Sequence, residues 1–158
     1  MAISTIDTIM EENVKIIKEE AEALLDKIGS KGRVDVEWAD ESFSVKLDTD
    51  ENALLIGKHG NTLSSLELIL SLIVAKKTGE FKRIVIEVGG YREAREEYLR
   101  DLAQRLHDEV IDTGNEKTVR GLKPWERRII HMYLSEEGDV ITESEGDERD
   151  RVLVIKKK

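Results

Sequence analysis

The stretch Leu54-Leu55-Ile56-Gly57-Lys58-His59-Gly60 constrains this chain more than any other. An apolar run enters a Gly-x-x-Gly turn, and a long helical pattern leaves it. Gly57 and Gly60 permit positive φ and remove two side chains that would hold a ligand's backbone away. Asn61 to Thr78 then carries Leu63, Leu66, Leu70 and Ile73 on one helical face. The turn therefore falls at a helix N-terminus, where unbonded N–H groups and the positive dipole end favour an anion. Lys58 adds a point charge. The combination suits a phosphodiester better than a small apolar ligand. An isolated Gly-x-x-Gly is more often an ordinary turn between helices, so the elements around it decide its weight.

Those elements follow from periodicity. Thr5 to Ile28 reads as a helix, with a stripe of Ile6, Ile9, Val14, Ile17, Ala21, Leu24 and Leu25, and Gly29 to Gly32 breaks it. Val34, Val36 and Trp38 alternate, Asp40-Glu41 turns the chain, and Phe43, Val45 and Leu47 alternate again, which predicts an antiparallel hairpin. A short helix spans about Glu51 to Ile56. The helix after the turn ends near Gly79. Arg83 to Val88 is a third strand, closed by Gly89-Gly90.

The order is α-β-β-α-(Gly-x-x-Gly)-α-β. With Gly57-Lys58-His59-Gly60 at the signature loop, residues 1–89 resemble a K-homology (KH) domain of type II. The resemblance implies that Gly57, Lys58, His59 and Gly60 clamp a sugar-phosphate backbone, while an apolar groove holds a few single-stranded bases. Ile56, Leu63 and Leu66 are the groove residues it suggests; as plain amphipathic positions they read equally well as core.

Beyond the glycine pair, Tyr91 to Thr113 reads as a long helix with Ala94, Tyr98, Leu102, Leu106 and Val110 on one face. Arg92, Arg95, Glu96, Glu97, Arg100 and Asp101 read largely as a solvated face laced with i, i+4 pairs. Gly114-Asn115 ends it. Lys117 to Leu122 suggests a short strand, and Pro124 opens a helix to Leu134 in which Ile130, Met132 and Leu134 face inward. Arg127 and His131, four apart, share a face of that helix. Val140 to Thr142 and Arg151 to Ile155 read as strands around the charged turn Glu145-Gly146-Asp147-Glu148.

The Arg-x-x-x-His of Arg127 and His131, followed by Ser144 to Glu148 and Arg151 to Ile155, resembles the R-3-H domain, a small α/β module that binds single-stranded nucleic acid. It covers about residues 91–155 and implies a domain of 90–158 with a short three-stranded sheet. A KH-like segment followed by an R-3-H-like one resembles the SpoIIIJ-associated (Jag) family of bacterial RNA-binding proteins. Longer members of that family carry a further N-terminal domain that this sequence lacks. The resemblance implies an α/β (α+β) fold, a cytoplasmic RNA-binding role of a regulatory kind, and single-stranded RNA, or single-stranded DNA, as partner. Arg127, Arg128 and His131 become binding residues, and Lys117, Arg120 and Lys123 extend the phosphate track; Arg127 and His131 also read as an internal brace that orients their helix against the sheet, and the two roles can coexist.

Charge at first opposes this. The 158-residue chain has a formal net charge of −9. Its distribution is uneven: residues 1–50 hold 6 Lys and Arg against 13 Asp and Glu, whereas residues 51–90 hold 5 against 4. Lys117, Arg120, Lys123, Arg127 and Arg128 face only Glu126 across Lys117 to His131. Local charge at the binding face outweighs the total. There is no cysteine, so no disulfide or thiolate metal site forms, and a reducing cytoplasm is the simplest compartment. No apolar run has the length of a membrane span, and no signal peptide opens the chain.

An enzyme reading has little support, and no cofactor or metal is implied. The sequence has no Walker loop, nucleophile elbow or metal-ligand cluster among its three histidines. Two alternatives stand beside RNA binding. Arg127 and His131 acting on a scissile phosphate would make a nuclease. The acidic N-terminal helix docking a basic partner, or a second KH-domain protein, would make an interaction adaptor.

Overall fold

The computed structural model describes residues 5–147 and 150–158. Glu148 of the expected charged turn lies outside the described residues. The chain is mixed α/β and divides into two compact units, Met1–Tyr91 and Arg92–Lys158.

In the first unit, β1 (Gly32–Ala39) and β2 (Ser42–Thr49) pair antiparallel, setting Val34 opposite Leu47 and Trp38 opposite Phe43. The turn between them needs two left-handed residues, and Asp40 and Glu41 sit at φ 49° and 60°. β3 (Ile84–Val88) adds parallel to β2, giving the order β1-β2-β3. A parallel neighbour requires a long crossover. It is supplied by α2 (Asn52–Ile56), a single 3-10 turn at Lys58–Gly60, and α3 (Asn61–Thr78).

The period of two puts Val34, Phe43, Val45, Leu47, Ile84, Ile86 and Val88 on one face, where they form a core with α3 and with α1 (Thr5–Ile28). The opposite face is mostly polar, with Asp35, Glu37, Ser44, Lys46 and Glu87 beside Val85. The first helix begins differently from its apolar stripe. Ile6 and Ile9 are exposed, and the inward line runs Met10, Asn13, Ile17, Ala21, Leu25. That spacing of three and four follows the helix repeat, so a buried Asn13 wins over the two isoleucines.

The second unit holds α4 (Tyr91–Thr113) from Arg92 onward, β4 (Lys117–Val119), α5 (Pro124–Glu137), β5 (Val140–Glu145) and β6 (Val152–Lys157). Its sheet has the order β4-β6-β5, antiparallel throughout. Leu99, Ala103 and Val110 of α4 meet Ile130 and Leu134 of α5 and Leu153 and Ile155 of β6 in one core. Three expectations shift here. The inward line of α4 is centred on Leu99 and Ala103, while Tyr98 is half-exposed under the Arg95 guanidinium, 5.1 Å from the ring centroid. Met132 is exposed, since the line Glu126, Ile130, Leu134 already fills the inward face of α5. β4 stops at Val119 because Gly121, at φ 72°, reverses the chain and sends Leu122 into the core.

Candidate nucleic-acid interface

The Gly-x-x-Gly turn is held by its neighbours. Gly57 has φ 68° and ψ −171°, and a Cβ there would collide with Thr62 Oγ1. Gly60 has φ 71°, and its Cβ would lie 2.7 Å from Tyr91 Cε1. Both positions are thus glycine for steric as well as conformational reasons. His59 between them is left-handed at φ 52°. Lys58 and His59 are exposed, and Gly60 starts α3 with no side chain capping the helix. The serine hydroxyls of the first turns donate instead to carbonyls, Ser64 to Gly60 O and Ser65 to Asn61 O. Asn61 N–H bonds Lys58 O, and the N-terminal end of α3 lies beside a lysine and a histidine, a fit for an anion.

The suggested groove residues fall elsewhere. Leu63 and Leu66 belong to the core, and Ile56 packs on its margin. The inward face of α3 is Leu63, Leu66, Leu70 and Val74, which leaves Leu68, Ile69 and Leu72 exposed on the outer face. Leu54 is the exposed apolar residue just before the loop.

The basic segment of the second unit centres on the start of α5. Glu126 is 1% exposed, although it is a carboxylate. Its Oε1 accepts from Arg95 Nε at 2.7 Å and its Oε2 from the Lys123 backbone N–H at 2.8 Å, closing the first turn of α5. Arg92 lies over the Trp125 ring at 5.5 Å from its centroid. Arg92 and Arg95, expected on a solvated face, instead align α5 against α4 and so aim the residues that follow. A buried cation–carboxylate pair leaves no trace in a helical wheel, where arginine marks the outside.

Arg127 is half-buried and donates from Nη1 to Leu122 O at 2.8 Å; Arg128 is exposed. His131 is exposed, and its Nδ1 bonds the Thr142 hydroxyl, linking α5 to β5. Arg127 and Arg120 line one cleft. Lys117 is drawn away into an ion pair with Glu109 of α4, and Lys123 starts α5 as its cap residue. Sequence reasoning missed Arg151, which lines the same cleft as Arg120 and Arg127. It stands next to Asp150 at the head of a β-branched run, so charge counting neutralised it and strand patterning absorbed it.

A Gly-x-x-Gly helical turn on a three-stranded α+β unit, followed by an Arg-x-x-x-His helix on a second small sheet, defines the class that joins a KH domain to an R-3-H domain. The family model described as KhpA/KhpB, KH domain, matches residues 15–88, and the R-3-H domain model matches residues 97–157. The chain is 34% identical over 136 residues to the RNA-binding protein KhpB of Clostridium symbiosum, covering 85% of this chain and 61% of that one. With RNA-binding protein KhpB of Bacillus subtilis it shares 32% over 139 residues, 87% of this chain and 67% of the relative. With that of Lactiplantibacillus plantarum it shares 31% over 133 residues, 84% of this chain and 41% of the relative. The chain thus spans only part of the length of these curated relatives. It belongs to the KhpB family, the family that the name Jag also denotes.

Proposed function

We propose that this chain binds single-stranded RNA through two surfaces, the Gly57–Gly60 loop of a KH domain at residues 1–89 and the Lys117–His131 segment of an R-3-H domain at residues 90–158. The observation that carries this reading is the exposed Lys58-His59 pair over the uncapped N-terminus of α3. Its relatives, which bear the name RNA-binding protein, support it. Lys58 and the helix end hold phosphate without regard to sequence, so affinity falls as salt rises. Arg127 brings a planar fork suited to phosphate or to stacking on a base, with Arg128 and His131 beside it. The acidic remainder of the chain keeps non-specific attraction low.

Binding without catalysis is proposed, in the cytoplasm of a bacterium and in a regulatory role. Among the described residues, no helix is long and apolar enough to cross a membrane. The test is a titration of labelled single-stranded RNA, with backbone amide shifts followed residue by residue. Shifts should appear at Lys58 to Asn61 and at Arg120 to His131, and the RNA should remain intact. Equal affinity for a duplex of matched length would count against the proposal.

A second reading has its own observation. Leu68, Ile69 and Leu72 form an exposed apolar patch on α3, of the kind that marks a protein contact. It favours a second KH-domain protein as an additional partner. Sedimentation of Leu72→Asp against the parent chain tests this, with loss of a self-associated or mixed species as the expected result.

A further inference from the structure

We propose that the cleft between the Gly121 turn and the head of β6 seats one nucleotide of the bound strand, its phosphate held by Arg120, Arg127 and Arg151. This rests on the RNA-binding reading and assigns a site within it.

The cleft measures about 280 Å³ and is lined by Arg120, Leu122, Arg127, Asp150, Arg151 and Val152, with Gly121 between the first two. Among the described residues, three guanidinium groups and one carboxylate line it, in a chain whose formal net charge is −9. Among the described residues, neither Arg120 nor Arg151 forms an ion pair. Arg127 uses one Nη1 hydrogen on Leu122 O, which fixes the plane of the fork and leaves other donors of the group available.

Size selects the ligand. Small-molecule pockets run from roughly 300 to 1,000 Å³, so this cleft takes one nucleotide unit and not a row of bases. Leu122 and Val152 give it apolar walls for a ribose or a base edge. Gly121 adds access, because no described residue lies within 4 Å of where its Cβ would be. Rigidity comes from both sides: Leu122 is anchored in the core, and Val152 is paired to Glu145 in the sheet. Asp150 is the opposing element. It lowers the charge of the cleft and disfavours a second phosphate, so its removal should strengthen binding.

The test uses the full chain and a fluorescent decauridylate RNA, with anisotropy and thermal melting measured on each variant. Arg151→Ala should weaken binding about tenfold and reduce the log–log salt slope by about 0.7, the loss of one phosphate contact on a single strand. Arg151→Lys should restore the slope. Asp150→Asn should tighten binding several-fold with its melting point unchanged. Unlabelled uridine monophosphate should shift the amides of Arg120 to Leu122 and of Asp150 to Val152. If Lys58→Asp and Arg127→Ala weaken binding while Arg151→Ala and Asp150→Asn leave it unchanged, the cleft assignment falls and the RNA-binding reading stands. If Arg151→Ala only lowers the melting point, Arg151 is a brace and the assignment falls too. If the parent chain shows no affinity for the RNA, the RNA-binding reading itself fails; if it binds and no variant alters that affinity, the cleft assignment falls.

Discussion

Arg95 Nε stands 2.7 Å from the Glu126 carboxylate, and the two side chains are 15% and 1% exposed. This pair joins α4 to the first turn of α5, one residue before Arg127. Removing one partner strands a buried charge, which typically costs about 3–5 kcal/mol. Arg95→Met should therefore destabilise the second unit by about 3 kcal/mol. Adding Glu126→Gln should recover much of that loss. Urea denaturation followed at Trp125 measures both.

Lys58 and His59 invite the opposite experiment, because both are exposed and touch no core. Replacing them by Asp puts two anions where phosphate is expected. RNA affinity should drop, and thermal midpoints should barely move. Unchanged affinity would remove the loop from the binding surface.

Arg127 has both a packing and a binding role to lose. Its hydrogen bond to Leu122 O is 2.8 Å, so Arg127→Ala leaves that carbonyl unpaired and should cost about 1 kcal/mol of stability. RNA affinity should fall as well, with the salt slope lower by about 0.7. Arg127→Lys should keep the slope yet lose on the order of 1 kcal/mol of binding, since lysine has charge without the fork. Normal RNA binding by folded alanine and lysine variants that both melt early would reduce Arg127 to a brace.

His107 provides a pH signature. Its Nδ1 bonds Asp108 and its Nε2 bonds Asp139 at 2.9 Å, and these two carboxylates raise its pKa above 6.5. A raised histidine stabilises the fold fully below its unfolded value and loses that contribution as pH climbs through the folded value. Asp108 and Asp139 are lowered by the same histidine, so their share is present above the carboxylate range and fades in acid. The melting point should decline as pH rises through the raised His107 value, and also fall in acid as the two carboxylates take up protons. His107→Gln should flatten the alkaline side of that profile.

The legible parts of this chain were those set by local chemistry. α3 was readable to the residue because Gly60 and Gly79 frame it, and both take left-handed backbone at its ends. The two halves were readable because Gly57-Lys58-His59-Gly60 and Arg127-x-x-x-His131 each stand in a distinctive order of elements. What stayed hidden depends on contacts between elements. Ala94 and Tyr98 make a stripe with Leu102 about as apolar as Leu99 and Ala103, so only packing in the core selects Leu99 and Ala103 as its centre, with Leu102 and Leu106 at its margin. Arg95 looks like surface until Glu126 is placed opposite it. Leu63 and Leu66 lie beside the loop in sequence, yet α3 turns them to the core. Arg151 joins Arg120 and Arg127 only once β6 is folded back beside the Gly121 turn.

The four loop residues differ in how much freedom the backbone leaves them. Gly57 is closed to change by Thr62, and Gly60 by the Tyr91 ring. His59, left-handed at φ 52°, admits few residue types, chiefly histidine, asparagine, aspartate and glycine. Lys58 alone has neither an unusual backbone nor a close neighbour to satisfy. Divergence among relatives should therefore gather on that one side chain. A lineage that exchanged it for a neutral or acidic residue would keep the architecture of the loop while silencing its attraction for phosphate.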